Sequence, residues 1–381
     1  MERINILYVV DNLTFGGGER GFSQLSNALD KERYNIFIAC SPGGELENRI
    51  KNIDVQIKFI DFRRQINSKI FIELMKIIKD ENIHIVHSVG SRADFYARLA
   101  GKIAGAPIII STLAMFAERF DTDPLRKALY IIFDRFSERF VDTFIVVSEA
   151  LKHTLHTRHH IDKRKIVRIY NGVELDLYSP HVKYSESVRN EFAIEDTTPL
   201  VGTIGRCIYQ KGFEYFLLAT PIILRKYPDV KFILVGDGPL RAQLENMAQR
   251  LGIANSIIFT GFRNDIPRIL AEMDIFVLSS VLEGLPRVVM EAMAVGKPIV
   301  ATDIEGIREE LDHGQEGIIV PSRNPPALAQ GIMELLINRD KAKEMGLRAR
   351  KKAERLFSLK ETVKNIDSLY QRLISDKVKK Q

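Results

Sequence analysis

The sequence predicts an α/β protein of two doubly wound domains, each a parallel sheet with helices on both faces. Short apolar runs alternate with amphipathic stretches from end to end, the pattern left by strand–helix–strand crossovers. The alternation falls into two series, and between them Tyr170-Asn171-Gly172-Val173 leads into a polar, charged stretch reaching about Thr198, the expected hinge region. At 381 residues the chain exceeds one core, since about 100 to 200 residues per domain is usual.

The first series offers strands at Ile4 to Val10, Asn35 to Cys40, Val55 to Ile60, Ile83 to His87, Ile108 to Thr112, Thr143 to Val147 and Ile166 to Ile169. Helical patterns fill the gaps. In Ser68 to Ile78, for instance, Ile70, Leu74, Ile77 and Ile78 share one face. The second series offers Leu200 to Ile204, Lys231 to Val235, Ile257 to Thr260, Ile275 to Leu278, Pro298 to Ala301 and Gly317 to Val320. After Ile275 to Leu278 come a short loop, a helix opening at Pro286 and a Gly296-Lys297-Pro298 stop. The tail, Leu359 to Gln381, is basic and places Val363, Ile366, Leu369, Tyr370 and Ile374 at helix spacing.

Composition narrows the class. With 45% hydrophobic and 27% charged residues the chain is an ordinary globular protein. Its two cysteines, Cys40 and Cys207, fall in separate halves, which argues against a disulfide framework and for a reducing, cytoplasmic setting. The start reads as a first strand without a signal-peptide cleavage site, and no run reaches the roughly 18 apolar residues of a membrane span. A net charge of +6 favours anionic surfaces. No nucleic-acid module or aromatic stacking platform accompanies that charge, so no nucleic-acid partner is expected.

Ligands of such sheets bind where strands end, so the loops there matter most. Phe15-Gly16-Gly17-Gly18 follows the first strand; lacking Cβ atoms, Gly16 and Gly17 let backbone approach a ligand, although a bare tight turn needs the same residues. The spacing is not that of a dinucleotide-binding loop. Gly205-Arg206-Cys207-Ile208-Tyr209-Gln210-Lys211 puts two cations at the end of a strand, suited either to a diphosphate or to solvent. Gly236 in Gly236-Asp237-Gly238 and Phe262 in Thr260-Gly261-Phe262 sit in loops that serve equally as turns or as ligand contacts. Glu283 and Glu291 stand eight apart, one in the loop and one in the helix. Between them Gly284, Leu285 and Pro286 lead into a helix amino terminus, a ready seat for an anion.

Read with its flanks, the Glu283 to Ala301 segment resembles the paired-glutamate signature of the retaining family-4 glycosyltransferases, the glycosyl transferases group 1 of the GT-B fold, and the resemblance extends over nearly the whole chain. It implies two Rossmann-like domains facing a central cleft: residues 1–175 for the acceptor, 176–358 for the nucleotide sugar, and a helix at 359–381 crossing back to the first domain. It also implies a nucleotide diphosphate sugar donor, UDP favoured, and a saccharide or lipid-linked acceptor of cell-surface polysaccharide assembly. By the same resemblance Arg206 and Lys211 counter the diphosphate in place of a metal ion, Glu283 holds the transferred sugar and Glu291 the ribose hydroxyls. Gly16 and Gly17 approach the donor phosphates, Gly236 and Phe262 flank the nucleotide, and Arg92 meets the acceptor. No cofactor and no metal are expected. The alternatives are a nucleotide-sugar epimerase of the same fold and a non-catalytic sugar-nucleotide-binding protein.

Departures from the family pattern stand beside the matches. Ile109 to Met115 lacks the histidine that many members carry after the fifth strand, Glu305 replaces a glycine and Arg308 a proline. Asp121-Thr122-Asp123 imitates a metal-binding pair of another glycosyltransferase fold without its strand context. His153, His156, His159 and His160 read as a solvated basic surface, because no cysteine or carboxylate cluster joins them. From Leu125 to Phe140, apolar residues and arginines interleave at helical spacing, which fits either core packing or peripheral contact with the inner face of a membrane.

Overall fold

The computed structural model describes residues 3–11, 17–43, 46–50, 54–62, 67–116, 124–182 and 184–378. Residue contacts divide it into two units, residues 1–171 with 360–381, and residues 172–359.

In the first unit the strands are β1 (Ile4–Val10), β2 (Tyr34–Cys40), β3 (Gln56–Phe59), β4 (Ile85–Val89), β5 (Ile108–Leu113), β6 (Thr143–Val146) and β7 (Ile166–Arg168). They pair in parallel in the order β3-β2-β1-β4-β5-β6-β7. Ile6 to Val10 are fully buried, as a strand covered on both faces requires. Strand β4 starts two residues later than its apolar run, because the Ile83 amide bonds back to the Ile78 carbonyl and closes the preceding helix. That helix, Ser68–Asp80, is capped by the Asn67 side chain and buries Ile70, Leu74 and Ile78.

The helix Leu359–Val378 belongs to the same unit and buries Ile366, Leu369 and Tyr370 against the β1 side of the core. Its attachment is polar as well as apolar. The Tyr370 hydroxyl lies 2.6 Å from His87 Nδ1 and 3.2 Å from the Tyr8 hydroxyl, and His87 Nε2 lies 2.7 Å from Thr112 Oγ1. Nearer the surface, the Tyr34 hydroxyl donates to Asp367 at 2.5 Å and accepts from Gln371 at 2.8 Å. Complete burial holds His87 neutral by pushing its pKa down to about 3.

In the second unit the strands are β8 (Leu200–Ile204), β9 (Lys231–Val235), β10 (Ile257–Gly261), β11 (Ile275–Leu278), β12 (Ile299–Asp303) and β13 (Gly317–Pro321), all parallel, in the order β10-β9-β8-β11-β12-β13. The polar stretch read as a hinge is instead fastened to this unit. Ser187 caps a short helix, Val188–Glu191, and the buried Arg189 donates to the Glu195, Thr198 and Glu272 carbonyls and to Asp274. A guanidinium with every arm engaged cannot pay out chain freely.

Each sheet reverses its winding once, between β1 and β4 and between β8 and β11. A crevice opens outside the strand ends at such points, so the sites to inspect are the loops after these four strands.

Two outcomes are expected. Tyr370→Phe strands His87 and the Tyr8 hydroxyl without their partner and lowers unfolding free energy by about 1–3 kcal/mol in urea titration. Because His87 stays neutral when folded but takes a proton near pH 6.5 when unfolded, its contribution to stability is present above that pH and is lost as pH falls toward 3. The slope is up to about 1.4 kcal/mol per pH unit, and His87→Gln makes the acid limb of a stability–pH curve shallower.

Candidate active site

The second unit's crevice is built first from main chain. Gly236 has φ +141° and a Cβ there would lie 1.8 Å from the Gly205 carbonyl oxygen; one at Gly238 would lie 2.7 Å from the Cys207 oxygen. Only glycine allows the loops after β8 and β9 to meet this closely. The Gly205 amide donates to Val235, the Cys207 amide to Asp237 and the Gly236 amide to Gly261, so the ends of β8, β9 and β10 form one hydrogen-bonded floor.

The loops after β8 and β11 are joined just as closely. The Val281 amide donates to the Gln210 carbonyl at 2.8 Å, the Ser279 hydroxyl donates to the Lys211 carbonyl at 3.0 Å, and Gly212 (φ +57°) leaves room for the Ser279 oxygen. These contacts place Lys211 opposite Glu283 across the switch point. Lys211 Nζ donates to Glu283 Oε1, and the Ser280 hydroxyl donates to the same oxygen at 2.9 Å. Both charged side chains are largely buried. Arg206, in contrast, is exposed and has no side-chain partner among the described residues. Of the two cations in the loop after β8, Arg206 is thus without a partner among the described residues and Lys211 is held by a carboxylate.

The helix after Glu283 is Arg287–Ala294, with Pro286 as its N-cap residue and no side chain capping its amides. Free N–H groups and the positive dipole end thus lie directly behind Gly284 and Leu285. Glu291 is buried within this helix. Gly306 (φ +88°) abuts the Gly284 carbonyl, where a Cβ would lie at 1.9 Å, so the loop after β12 braces the glutamate loop from behind. Phe262, just past β10, is 58% exposed, an aromatic face with nothing stacked on it among the described residues.

The structure adds groups that sequence reading did not single out. Ser280 orients Glu283. Arg323 donates to the Tyr209 hydroxyl at 3.0 Å and brings a further cation to the edge, two residues from Lys211. Glu310, completely buried, has neither carboxyl oxygen hydrogen-bonded among the described residues; burial, reinforced by Glu283 and Glu309, pushes its pKa well above the usual carboxylate range. Serines are too common to flag, and partners more than a hundred positions apart leave no local signal. Arg308, which stands where proline is common in the family, donates to Asp303 at 2.6 Å.

In the first unit Gly17 opens the helix Gly17–Ala28, while Gly16 and Asp121-Thr122-Asp123 lie outside the described residues. Arg92 is committed locally: its Nε lies 3.3 Å from Asp11 and its Nη1 donates to the Phe62 carbonyl at 3.0 Å. Burial pushes the Asp11 carboxyl up, against the pull of Arg92. The histidine stretch is less solvated than its composition suggests, because His159 is buried, 2.5 Å from Glu138 and packed on the Phe116 ring.

The Glycosyl transferases group 1 family model matches residues 185–352, and the Glycosyltransferase Family 4 model matches residues 15–177. The chain is 26% identical, over 98% of its own length and 98% of the relative's, to the UDP-Gal:alpha-D-GlcNAc-diphosphoundecaprenol alpha-1,3-galactosyltransferase of Escherichia coli. It is 26% identical, over 81% of its length and 84% of the relative's, to the N,N'-diacetylbacillosaminyl-diphospho-undecaprenol alpha-1,3-N-acetylgalactosaminyltransferase of Campylobacter jejuni. Among solved structures, a glycosyltransferase from Rickettsia africae superposes with a TM-score of 0.81 at 24% identity, covering 98% of this chain and 99% of the other. Anabaena HepE in complex with UDP-glucose superposes with a TM-score of 0.84 at 22% identity, covering 97% and 100%.

If Lys211 and Glu283 satisfy each other in the ligand-free protein, a double-mutant cycle with Lys211→Met and Glu283→Gln in chemical denaturation returns a coupling of about 1–3 kcal/mol. Additive single losses would show that the pair is not formed in solution.

Proposed function

Because this chain belongs to the GT-B glycosyltransferases of the family-4 type, we propose that it moves a hexose or N-acetylhexosamine from a nucleotide diphosphate sugar, UDP favoured, to a lipid-linked or saccharide acceptor with retention of configuration. The observation that carries the proposal is the Lys211–Glu283 pair at the second sheet's switch point, with Arg206 lacking a partner among the described residues and a helix amino terminus that no side chain caps. The relatives' names support the substrate classes. The Escherichia coli and Campylobacter jejuni enzymes are named for acceptors on diphosphoundecaprenol, and Anabaena HepE was solved with UDP-glucose. Cell-surface polysaccharide assembly, with the enzyme peripheral at the inner face of the membrane, is the setting these acceptors suggest.

In this reading the diphosphate takes Lys211 away from Glu283. Arg206 and Lys211 face the phosphate oxygens, and the amides behind Gly284, Leu285 and Pro286 add a fixed positive dipole. Glu283, still held by Ser280, turns its freed lone pairs to the hydroxyls of the transferred sugar, while Glu291 accepts from the ribose diol. Gly236 keeps the β9 loop close beneath the nucleotide, and Phe262 offers a face to the base.

The bond from the anomeric carbon to the diphosphate oxygen then breaks, leaving an oxocarbenium-like centre and added negative charge on the leaving group. The acceptor hydroxyl oxygen forms the new bond from the same face, and its proton passes to the departing phosphate oxygen. No protein nucleophile is consumed. The cations act where charge develops, which is how they lower the barrier. Glu283 is a positioning residue that also steadies positive charge at the sugar.

Thermal shift against UDP, GDP, ADP and their sugar conjugates tests the donor class. The expected result is stabilisation by UDP and a UDP-sugar, unchanged by EDTA and weakened in Arg206→Ala. In turnover, Lys211→Ala lowers kcat roughly 10²–10³-fold, the usual cost of one preorganised charge-stabilising contact. NMR of the product's anomeric proton reports retention or inversion. Binding without turnover on any lipid-linked or saccharide acceptor would overturn the transferase proposal in favour of a non-catalytic nucleotide-sugar binder.

A further inference from the structure

We propose that the helix Pro124–Glu138 and the basic cavity at its carboxyl end form a docking surface for an anionic phospholipid bilayer. The inference deepens, and rests on, the reading that the acceptor is lipid-linked. Leu129, Ile132 and Phe136 are 42%, 60% and 43% exposed. Spaced three and four apart, they make one stripe along the helix. The stripe continues into Phe140, whose ring meets that of Phe136 edge-on at 5.8 Å, and the Arg139 guanidinium lies over both rings at 4.4 and 6.0 Å. On the helix Ser91–Ala104, Ile103 is 61% exposed beside Lys102.

Phe140 and Arg139 also line a cavity of about 180 Å³ that Lys102, Asp142, Lys165 and Lys377 share. Four cations therefore face one carboxylate, and that carboxylate is already engaged. Asp142 accepts from the Ile109 amide at 2.9 Å and from Lys377 at 3.0 Å, while Lys165 donates to the Val141 carbonyl at 2.8 Å. A phosphate would find a positive hollow with cations on four different segments of the unit. Exposed apolar side chains running directly into such a hollow match a lipid from end to end, acyl chains along the stripe and headgroup phosphate in the cavity.

Position separates this surface from the candidate acceptor edge. The cavity lies at the amino ends of β5 and β6, whereas Asp11 and Arg92 lie at the carboxyl ends of the sheet. The helix itself connects the end of β5 to the start of β6, so it runs between the two edges. A bilayer laid along its stripe would pass beside the edge where a lipid-linked acceptor would be presented. Charge complementarity favours a bilayer over a protein partner, because the polar end of the surface is cationic and the apolar part is a narrow helical stripe.

Vesicle flotation of the full chain tests this without donor or acceptor present. The expected result is binding to phosphatidylcholine vesicles doped with phosphatidylglycerol, little binding to phosphatidylcholine alone, and release by salt. Lys102→Gln weakens binding about fivefold, the worth of one cation near an anionic surface. Ile132→Asp and Phe136→Asp weaken it at least roughly tenfold, as loss of buried apolar area requires. All three variants should keep the UDP thermal shift of the parent, which separates lost docking from lost folding and from failure of the transferase reading. Parent-like vesicle binding by the variants would overturn the proposal. So would stabilisation by soluble glycerol phosphate without vesicle binding, or a dimer that Ile132→Asp dissociates in light scattering without any vesicle binding.

Discussion

At the carboxyl edge of the second sheet the main chain crosses at distances that exclude side chains. The Gly205 carbonyl occupies the space a Cβ of residue 236 would need, and the Gly284 carbonyl does the same at residue 306. Everything placed on this edge inherits that constraint. With β8, β9 and β10 ended by one hydrogen-bonded floor, and the β8 and β11 loops joined through Gln210 and Ser279, Lys211 and Glu283 meet without either side chain having to search. Fixing the loops during folding means that little conformational entropy remains to be lost when a ligand arrives, and preorganisation of this kind is what makes a charged contact effective.

Much of this was legible in the sequence. Strands buried on both faces appear as short continuous apolar runs, and glycines at their ends mark the crevices, so the two parallel sheets and the loops that matter could be read locally. The paired glutamates and the two cations stood out through the likeness of their segments to the glycosyltransferase pattern; alone, such charges read equally as solvated. What could not be read was who pairs with whom. Arg92 looked available and is engaged by Asp11; His159 looked solvated and is paired with Glu138; Arg189 sits in what looked like a hinge and instead ties that stretch down. In each case the partner is distant in sequence, and the identity of one residue says nothing about the other until the topology brings them together.

Glu310 shows the opposite limit. A buried carboxyl with no hydrogen bond is costly, and a neutral acid costs less than a carboxylate there. Its charge is further opposed by Glu283, whose own negative charge the proposed mechanism uses. Glu283 has Lys211 and Ser280 as donors, whereas neither Glu310 oxygen has a hydrogen-bond partner among the described residues and Lys352 only partly offsets its burial, although both are glutamates within one strand-helix unit of each other. Residue type alone does not set electrostatic role; the supply of nearby donors does.

The chain leaves the first unit after Asn171 and supplies that unit's last helix only from Lys360 onward. During synthesis, Tyr8, His87 and Thr112 are therefore made long before Tyr370, the residue that completes their hydrogen bonds. The second unit, which is contiguous, has all its strands available while the first still waits for its closing helix. At about 5–20 residues per second the interval between His87 and Tyr370 lasts many seconds, long compared with domain folding. The sequence order thus builds a delay into assembly: the earliest part of the chain to emerge is the last to be finished.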